Sequence, residues 1–373
     1  MNMLPFTKPT IEDAEQKAVQ VVLASGWITT GPKVTEFEQA LSHYIGNDVL
    51  VRVFNSATSA LEAVLIAQGI GPGDEMIVPA MSFVATANVV VRVGAKPVFV
   101  DVDLLSRNIN TTLLESAITE NTKAIMPVHF AGRPVDLKTI YQLADKYDLV
   151  VIEDAAQAIG SEYQGNKIGA SGNPVCFSFH PNKNMTTIEG GAVASSDKEL
   201  IKRLERIRFH GIDKFPDGTM EVMEWGGKMN LPDVNAAIGL VQLNRLDDFN
   251  QQRHKLALRY IERLQSQNHI VIPEDVSGHS WHMFTVCIDF KSLGMTRNEF
   301  QKKLLEHEIG SGIHYQDIPG FSLYQAYGNK PGDFPVAEQI GNQTLSLPLF
   351  PLMKIEDVDH VCKVIIKLLN GDS

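Results

Sequence analysis

Apolar positions recur at helical spacing near the start of the chain, where Ala14, Ala18, Val21 and Val22 share one face of residues 11–25 and Gly26 ends the run. A turn-rich loop, Trp27-Ile28-Thr29-Thr30-Gly31-Pro32, precedes a second helical period over 34–45. Residues 49–54 then read as a strand that runs into Asn55-Ser56-Ala57-Thr58, with helical spacing resuming over 59–68. A strand, a short polar turn and a helix start form a phosphate-binding arrangement, because free backbone N–H groups and the helix dipole point at the anion. Further on, Gly71-Pro72-Gly73-Asp74 marks a turn before a strand over 75–78, a helix over 79–93 and a strand over 97–101. Strands over 124–128 and 149–153 flank a helix over 137–146, an alternation that implies right-handed βαβ units and a mainly parallel sheet with helices on both faces.

Beyond Gly191 the pattern predicts a helix over 198–209, a polar loop over 210–219, and a helix over 232–249 carrying Val234, Ala237, Ile238 and Val241. A long helix over 252–264 crosses into a second domain. There 281–290 reads as a strand, 297–307 as a helix, 312–315 as another strand and 355–369 as a closing helix. With 373 residues the chain exceeds one ordinary core, so the expected organisation is a large α/β domain over 1–248 and a small α+β domain over 249–373.

Composition narrows the function classes. An apolar content of 44% and a charged content of 21% are those of a soluble globular protein. The formal net charge of −11, with no Lys/Arg stripe to offset it, argues against a nucleic-acid partner, so any phosphate has to be met locally. The N-terminal MNMLPFTKPT lacks the regions of a signal peptide, and Arg92 breaks the longest apolar candidate, which predicts a cytoplasmic protein with no membrane insertion. Cys176, Cys287 and Cys362 are widely spaced in apolar contexts, which suits buried free thiols better than disulfides or a metal site.

The chemistry concentrates in two stretches. LVVIEDAAQ, residues 149–157, is an apolar run ending abruptly in Glu153-Asp154, the pattern of a buried strand with acids at its carboxyl end, where open α/β sheets place their ligands. SFHPNKNMTTIEGG, residues 178–191, displays Lys183 in a turn between two strands. A carboxylate and a lysine over one pocket suit pyridoxal 5'-phosphate: the lysine forms the Schiff base and the acid keeps the pyridine nitrogen protonated. Ser56, Ala57 and Thr58 at their helix start and the hydroxyl of Ser178 would bind the cofactor phosphate. Phe83 is a candidate to lie against the ring, and Gln157, about one helical turn past Asp154, a candidate for the ring hydroxyl.

The segments NSATSAL, VPAMSFVATAN, PVHFAG, VIEDAAQAIG, SFHPNKNMTTIEGGAV, FHGI and NLPDVNAAIGLVQL occur in order from about Pro5 onward. Together they resemble the successive motifs of the DegT/StrS family of pyridoxal-phosphate sugar aminotransferases. The resemblance implies the fold-type I architecture and a homodimer with shared active sites. It makes Lys183 the Schiff-base lysine and Asp154 the pyridinium partner, with Phe83 stacked on the ring, Gln157 beside the ring oxygen and Ser178 on the phosphate. It also places Lys228 near the partner subunit's phosphate and sets His314 and Tyr315 over the substrate. A lysine at 183 separates the chain from the family's sugar dehydratases, which carry a His there. The activity so implied is transfer of the amino group of L-glutamate to a nucleotide-linked keto-sugar, either a UDP-4-keto sugar or another UDP- or dTDP-linked 3- or 4-keto-6-deoxyhexose. A non-catalytic relative is the remaining alternative, and the Asp154–Lys183 pair argues against it.

Overall fold

The computed structural model describes residues 3–46 and 48–371. Seven strands form one continuous sheet, in the order Lys96–Val100, Glu75–Pro79, Thr122–Ile125, residues 150–154, Val175–Ser178, Gly191–Ser195 and Leu50–Phe54. The central strand consists of Val150–Val151 and Glu153–Asp154; Ile152 between them still donates to the Ile125 carbonyl at 3.0 Å. Only Gly191–Ser195 runs against its neighbours, so the sheet is mainly parallel.

A parallel sheet must be covered on both faces, and alternate side chains along each strand serve different cores. Met76 and Val78 join one apolar cluster with Leu61, Val64 and Leu204, whereas Ile77 between them joins the other with Phe37, Ile125 and Ile140. Helices Ala57–Ala67 and Lys198–Ile207 supply the first cluster, and Pro32–Ile45 and Leu137–Tyr147 the second.

A third cluster, with Tyr260, Phe284, Phe300, Leu345 and Ile365, lies under the antiparallel sheet Ile270–Val271, Phe284–Ile288, Thr344–Leu347. Helices Leu246–Leu264, Arg297–Glu306 and Ile355–Leu369 cover it. The start of the chain also packs here: Leu4 donates to the Glu308 carbonyl at 2.8 Å and accepts from Gly310. No helix among the described residues is long and apolar enough to cross a membrane.

Several elements differ from the sequence expectation. The helix expected over 79–93 starts only at Ala85, because the Ala80 backbone is spoken for by Val100 on one side and Ile318 on the other. The break expected between helices over 232–249 and 252–264 falls earlier, between Asp233–Leu243 and Leu246–Leu264, where Arg245 turns back to pair with Glu12 and Glu15. The strand expected over 312–315 is a single bridge: Gly312 exchanges hydrogen bonds with Ser346, then the chain leaves the sheet through a cis peptide at His314-Tyr315. The segment 210–219 is not all loop, since Ile212–Lys214 pairs with Met220–Val222 in a hairpin.

Candidate active site

The strand Val175–Ser178 delivers the chain to a tight turn in which Lys183 N donates to the His180 carbonyl at 2.8 Å. That turn is pinned on both sides. The hydroxyl of Thr186 and the N–H of Thr187 both bond the Phe179 carbonyl at 3.0 Å, and the amide of Asn184 donates to Asn250 Oδ1 at 2.6 Å and to the Ser280 carbonyl at 2.8 Å. The lysine backbone is thus fixed while its side chain opens on a cavity of about 290 Å³. Protein encloses the ammonium elsewhere, and the lost hydration pushes its pKa down to about 8, against the pull of the Asp154 charge.

Asp154 ends its strand buried at the floor of the same cavity. Its Oδ2 accepts from the Thr86 hydroxyl at 2.8 Å and its Oδ1 from Ala156 N at 3.1 Å. Burial raises the carboxyl pKa, while the Thr86 and Ala156 hydrogen bonds and the charge of Lys183 pull it back. Each charge therefore lies where it is poorly hydrated and answers to the other.

At the far end of the cavity Ser56 caps the helix Ala57–Ala67, its hydroxyl accepting from Ser59 N at 3.1 Å. The cap uses one of the free N–H groups at the helix start and leaves those of Ala57 and Thr58 to face an anion, with the helix dipole behind them. Gly191 permits this approach: a Cβ there would run into Ala57 N and lie within 2.5 Å of the Ser56 carbonyl carbon. Ser178 adds a hydroxyl from the neighbouring strand end.

Ten of the sequence-derived candidates line this one cavity: Ser56, Ala57, Thr58, Phe83, Asp154, Gln157, Ser178, Lys183, His314 and Tyr315. Phe83 is 53% exposed, so it belongs to the cavity wall and not to the core. Gln157 lies in a turn after the strand instead of a helix; its Oε1 accepts from Ala131 N at 2.7 Å and its amide donates to the Tyr315 hydroxyl at 3.3 Å. His314 is fixed by Ser346 Oγ at 2.8 Å and stacked on Phe6, and burial pushes its pKa down to about 4. Lys228 does not line the cavity of its own chain: its ammonium bonds Asn230 and lies 5.0 Å from the centre of the Phe209 ring.

A larger, shallower groove of about 800 Å³ runs past Trp27, Arg52 and Arg208, but its charges are paired already, Arg52 with Glu38 and Glu205 and Arg208 with Glu38. The reactive set is in the smaller cavity.

Two groups of supporting residues escaped the sequence reading. Thr86 holds Asp154 and is itself bonded to Ser82 at 2.9 Å. His129, fully buried, bonds Glu153 through Nε2 at 2.9 Å and accepts from Val135 N at Nδ1, while Glu153 also accepts from Tyr141 and from Ser171. The one available signal was that Thr86 and His129 lie inside the quoted segments VPAMSFVATAN and PVHFAG.

An amine at one wall, a buried carboxylate below, an anion cradle at one end and an aromatic face fit pyridoxal phosphate part for part. Fold and site together define a pyridoxal-phosphate-dependent enzyme of fold type I. The chain belongs to the DegT/DnrJ/EryC1/StrS aminotransferase family, whose model matches residues 9–366. It is 41% identical to the UDP-4-amino-4-deoxy-L-arabinose–oxoglutarate aminotransferase of Shewanella sediminis (strain HAW-EB3), across 99% of this chain and 98% of that protein. Among solved structures, the pyridoxal-phosphate form of the candidate sugar aminotransferase Spr1654 from Streptococcus pneumoniae matches with a TM-score of 0.92 and 32% identity over 100% of both chains. PseC of Helicobacter pylori, an aminotransferase of pseudoaminic acid biosynthesis, matches with a TM-score of 0.92 and 30% identity, over 99% of this chain and 100% of that one. The protein is a pyridoxal-phosphate-dependent sugar aminotransferase.

Proposed function

We propose that Lys183 carries the coenzyme and that the enzyme moves the amino group of L-glutamate onto the ketone of a nucleotide-linked sugar, a UDP-4-keto sugar, to give a 4-amino sugar for surface polysaccharide or lipid A. The observation that carries this reading is the pairing of Lys183 and Asp154 across one cavity in a chain 41% identical to an arabinose-type aminotransferase. The bound coenzyme supplies an electron sink for the carbon that gains or loses the nitrogen. Around it, Ala57 N, Thr58 N and Ser178 hold the phosphate, Phe83 covers the ring and Gln157 reaches its oxygen. Asp154 keeps a proton on the ring nitrogen. Lys183 Nζ, with a pKa near 8, can take a proton in one phase of the cycle and return it in the next.

His314 and Tyr315 face the substrate from the small domain, which begins at about residue 249. In this reading the protein is cytoplasmic and works as a homodimer. Exposed Met220, Val222 and Trp225 on and beside the hairpin form an apolar patch suited to burial against a second copy, bringing Lys228 toward the partner's phosphate site. Incubating the enzyme and glutamate with a panel of UDP- and dTDP-linked 3- and 4-keto sugars, followed by mass spectrometry, tests the substrate. Amination of the UDP-4-keto sugar alone is the expected result; turnover confined to a dTDP-linked or 3-keto sugar would replace it.

A further inference from the structure

Arg107 is 5% exposed and stands in the loop over 101–110 that follows strand Lys96–Val100, yet its guanidinium reaches the antiparallel sheet. Nη1 donates to Thr344 Oγ1 at 3.0 Å, and Nη2 to the Thr285 carbonyl and to Cys287 Sγ, both at 3.2 Å. Among the described residues no carboxylate offsets the charge, and a buried cation without a counter-charge is costly. Its backbone is unusual as well: φ is 59°, a left-handed value rare outside glycine, held by Arg107 N donating to the Asp103 carbonyl at 2.8 Å. Two unfavourable features on one residue call for an account of what they secure.

Both sides of the guanidinium lead to the same place. Thr344 Oγ1, which accepts from Arg107, donates in turn to the His314 carbonyl at 3.0 Å, a chain in which each hydrogen bond polarises the next. On the other side the guanidinium carbon lies 5.9 Å from the centre of the Phe130 ring, within cation–π reach, and Phe130 meets the Tyr315 ring edge-on at 6.2 Å between centres. One buried cation therefore touches, through a single intervening residue each, both members of the His314–Tyr315 pair that lines the cavity. Asp154 and Lys183 are placed independently of it, by strands Glu153–Asp154 and Val175–Ser178 of the large sheet.

We propose that Arg107 is a positioning residue of the active site: acting through Thr344 and Phe130, it sets how far the His314–Tyr315 wall reaches over the cavity, and so how tightly a substrate is held against the coenzyme. It shapes binding and leaves proton transfer to Lys183. This role rests on His314 and Tyr315 facing the substrate, the reading given above. His314→Ala and Tyr315→Phe check that reading separately.

The test follows bleaching of the pyridoxal-phosphate-loaded enzyme by L-glutamate, which separates the half-saturating glutamate concentration from the limiting rate. Arg107→Met and Thr344→Val break the same chain at different links. Each should raise the half-saturating concentration about five-fold, as for loss of one hydrogen bond, with the limiting rate kept within about two-fold. The double variant should stay well short of the roughly 25-fold that independent effects would give. Thr344→Ser, which keeps the hydroxyl, should behave as the parent, and the comparison of Ser with Val at 344 carries the test if Arg107→Met does not fold. A merely structural arginine would lower the melting temperature and leave glutamate saturation where it was. Parent-like saturation in folded Met and Val variants, full multiplication in the double variant, or a Ser variant as impaired as Val would overturn the relay. If His314→Ala and Tyr315→Phe are themselves without effect, the wall does not meet the substrate and both readings fall; an effect there with none from Arg107 or Thr344 overturns the relay alone.

Discussion

Lys183→Met offers a stability test of the site's electrostatics in the coenzyme-free protein. The amine's pKa falls from 10.5 to about 8 on folding because burial removes its hydration, with Asp154 opposing. A lysine that binds its proton less tightly when folded makes the unfolded chain the better proton binder between those values, so stability rises with pH from about 8 to 10.5. Below pH 8 both states are protonated and the folded protein carries the full burden. That burden corresponds to roughly 3 kcal/mol, trimmed to roughly 2 kcal/mol because the side chain opens on solvent in the cavity. Methionine has similar length and no charge. The variant should therefore be about 2 kcal/mol more stable than the parent at pH 7, an advantage that fades above pH 8 and is gone near 10.5, while losing all transamination. Urea denaturation of both coenzyme-free proteins at pH 7 and pH 10 measures this. A Met variant no more stable at pH 7, or equally favoured at both pH values, would refute the account of a strained lysine.

Three further outcomes follow from the same geometry. Thr86→Val removes the hydroxyl that holds the ionised Asp154, a hydrogen bond worth roughly 1.5–3 kcal/mol, so the acid limb of the kcat profile should move up by about one to two pH units with rates at pH 8 changed only a few-fold; an unmoved limb would show that Thr86 does not tune the carboxylate. Asp154→Asn should leave the fold intact, as judged by circular dichroism, and remove most activity, and full turnover in that variant would exclude the carboxylate's role. Gly191→Ala drives a Cβ into the start of the helix at Ala57 and Ser56, so the coenzyme dissociation constant, followed by absorbance, should rise at least about ten-fold; unchanged binding would mean the phosphate is held elsewhere.

Local patterning determined much of this protein before any tertiary contact was known. The strand–turn–helix units of the large sheet were legible because apolar spacing reports which face of a segment is buried, as Met76, Ile77 and Val78 show by facing alternate cores. The candidate pair was legible for a similar reason: Asp154 closes an apolar run and Lys183 occupies a turn between two others. Only the tertiary structure decided who holds them. Thr86 reaches Asp154 across 68 positions, and the backbone of Ala80 is taken by Val100 and Ile318, which delays a helix that periodicity alone would have started at residue 79. The placing of the helix break at Arg245 and the departure of His314 and Tyr315 from their sheet were hidden likewise, since long-range hydrogen bonds and ion pairs set them while the local pattern stays apolar. His282 is the limiting case: in the sequence it is one polar residue in a strand-like run, and only the packed structure buries its ring with neither nitrogen partnered among the described residues. Spacing encodes which side of a segment meets the core; the partner waiting there is chosen by how distant segments pack.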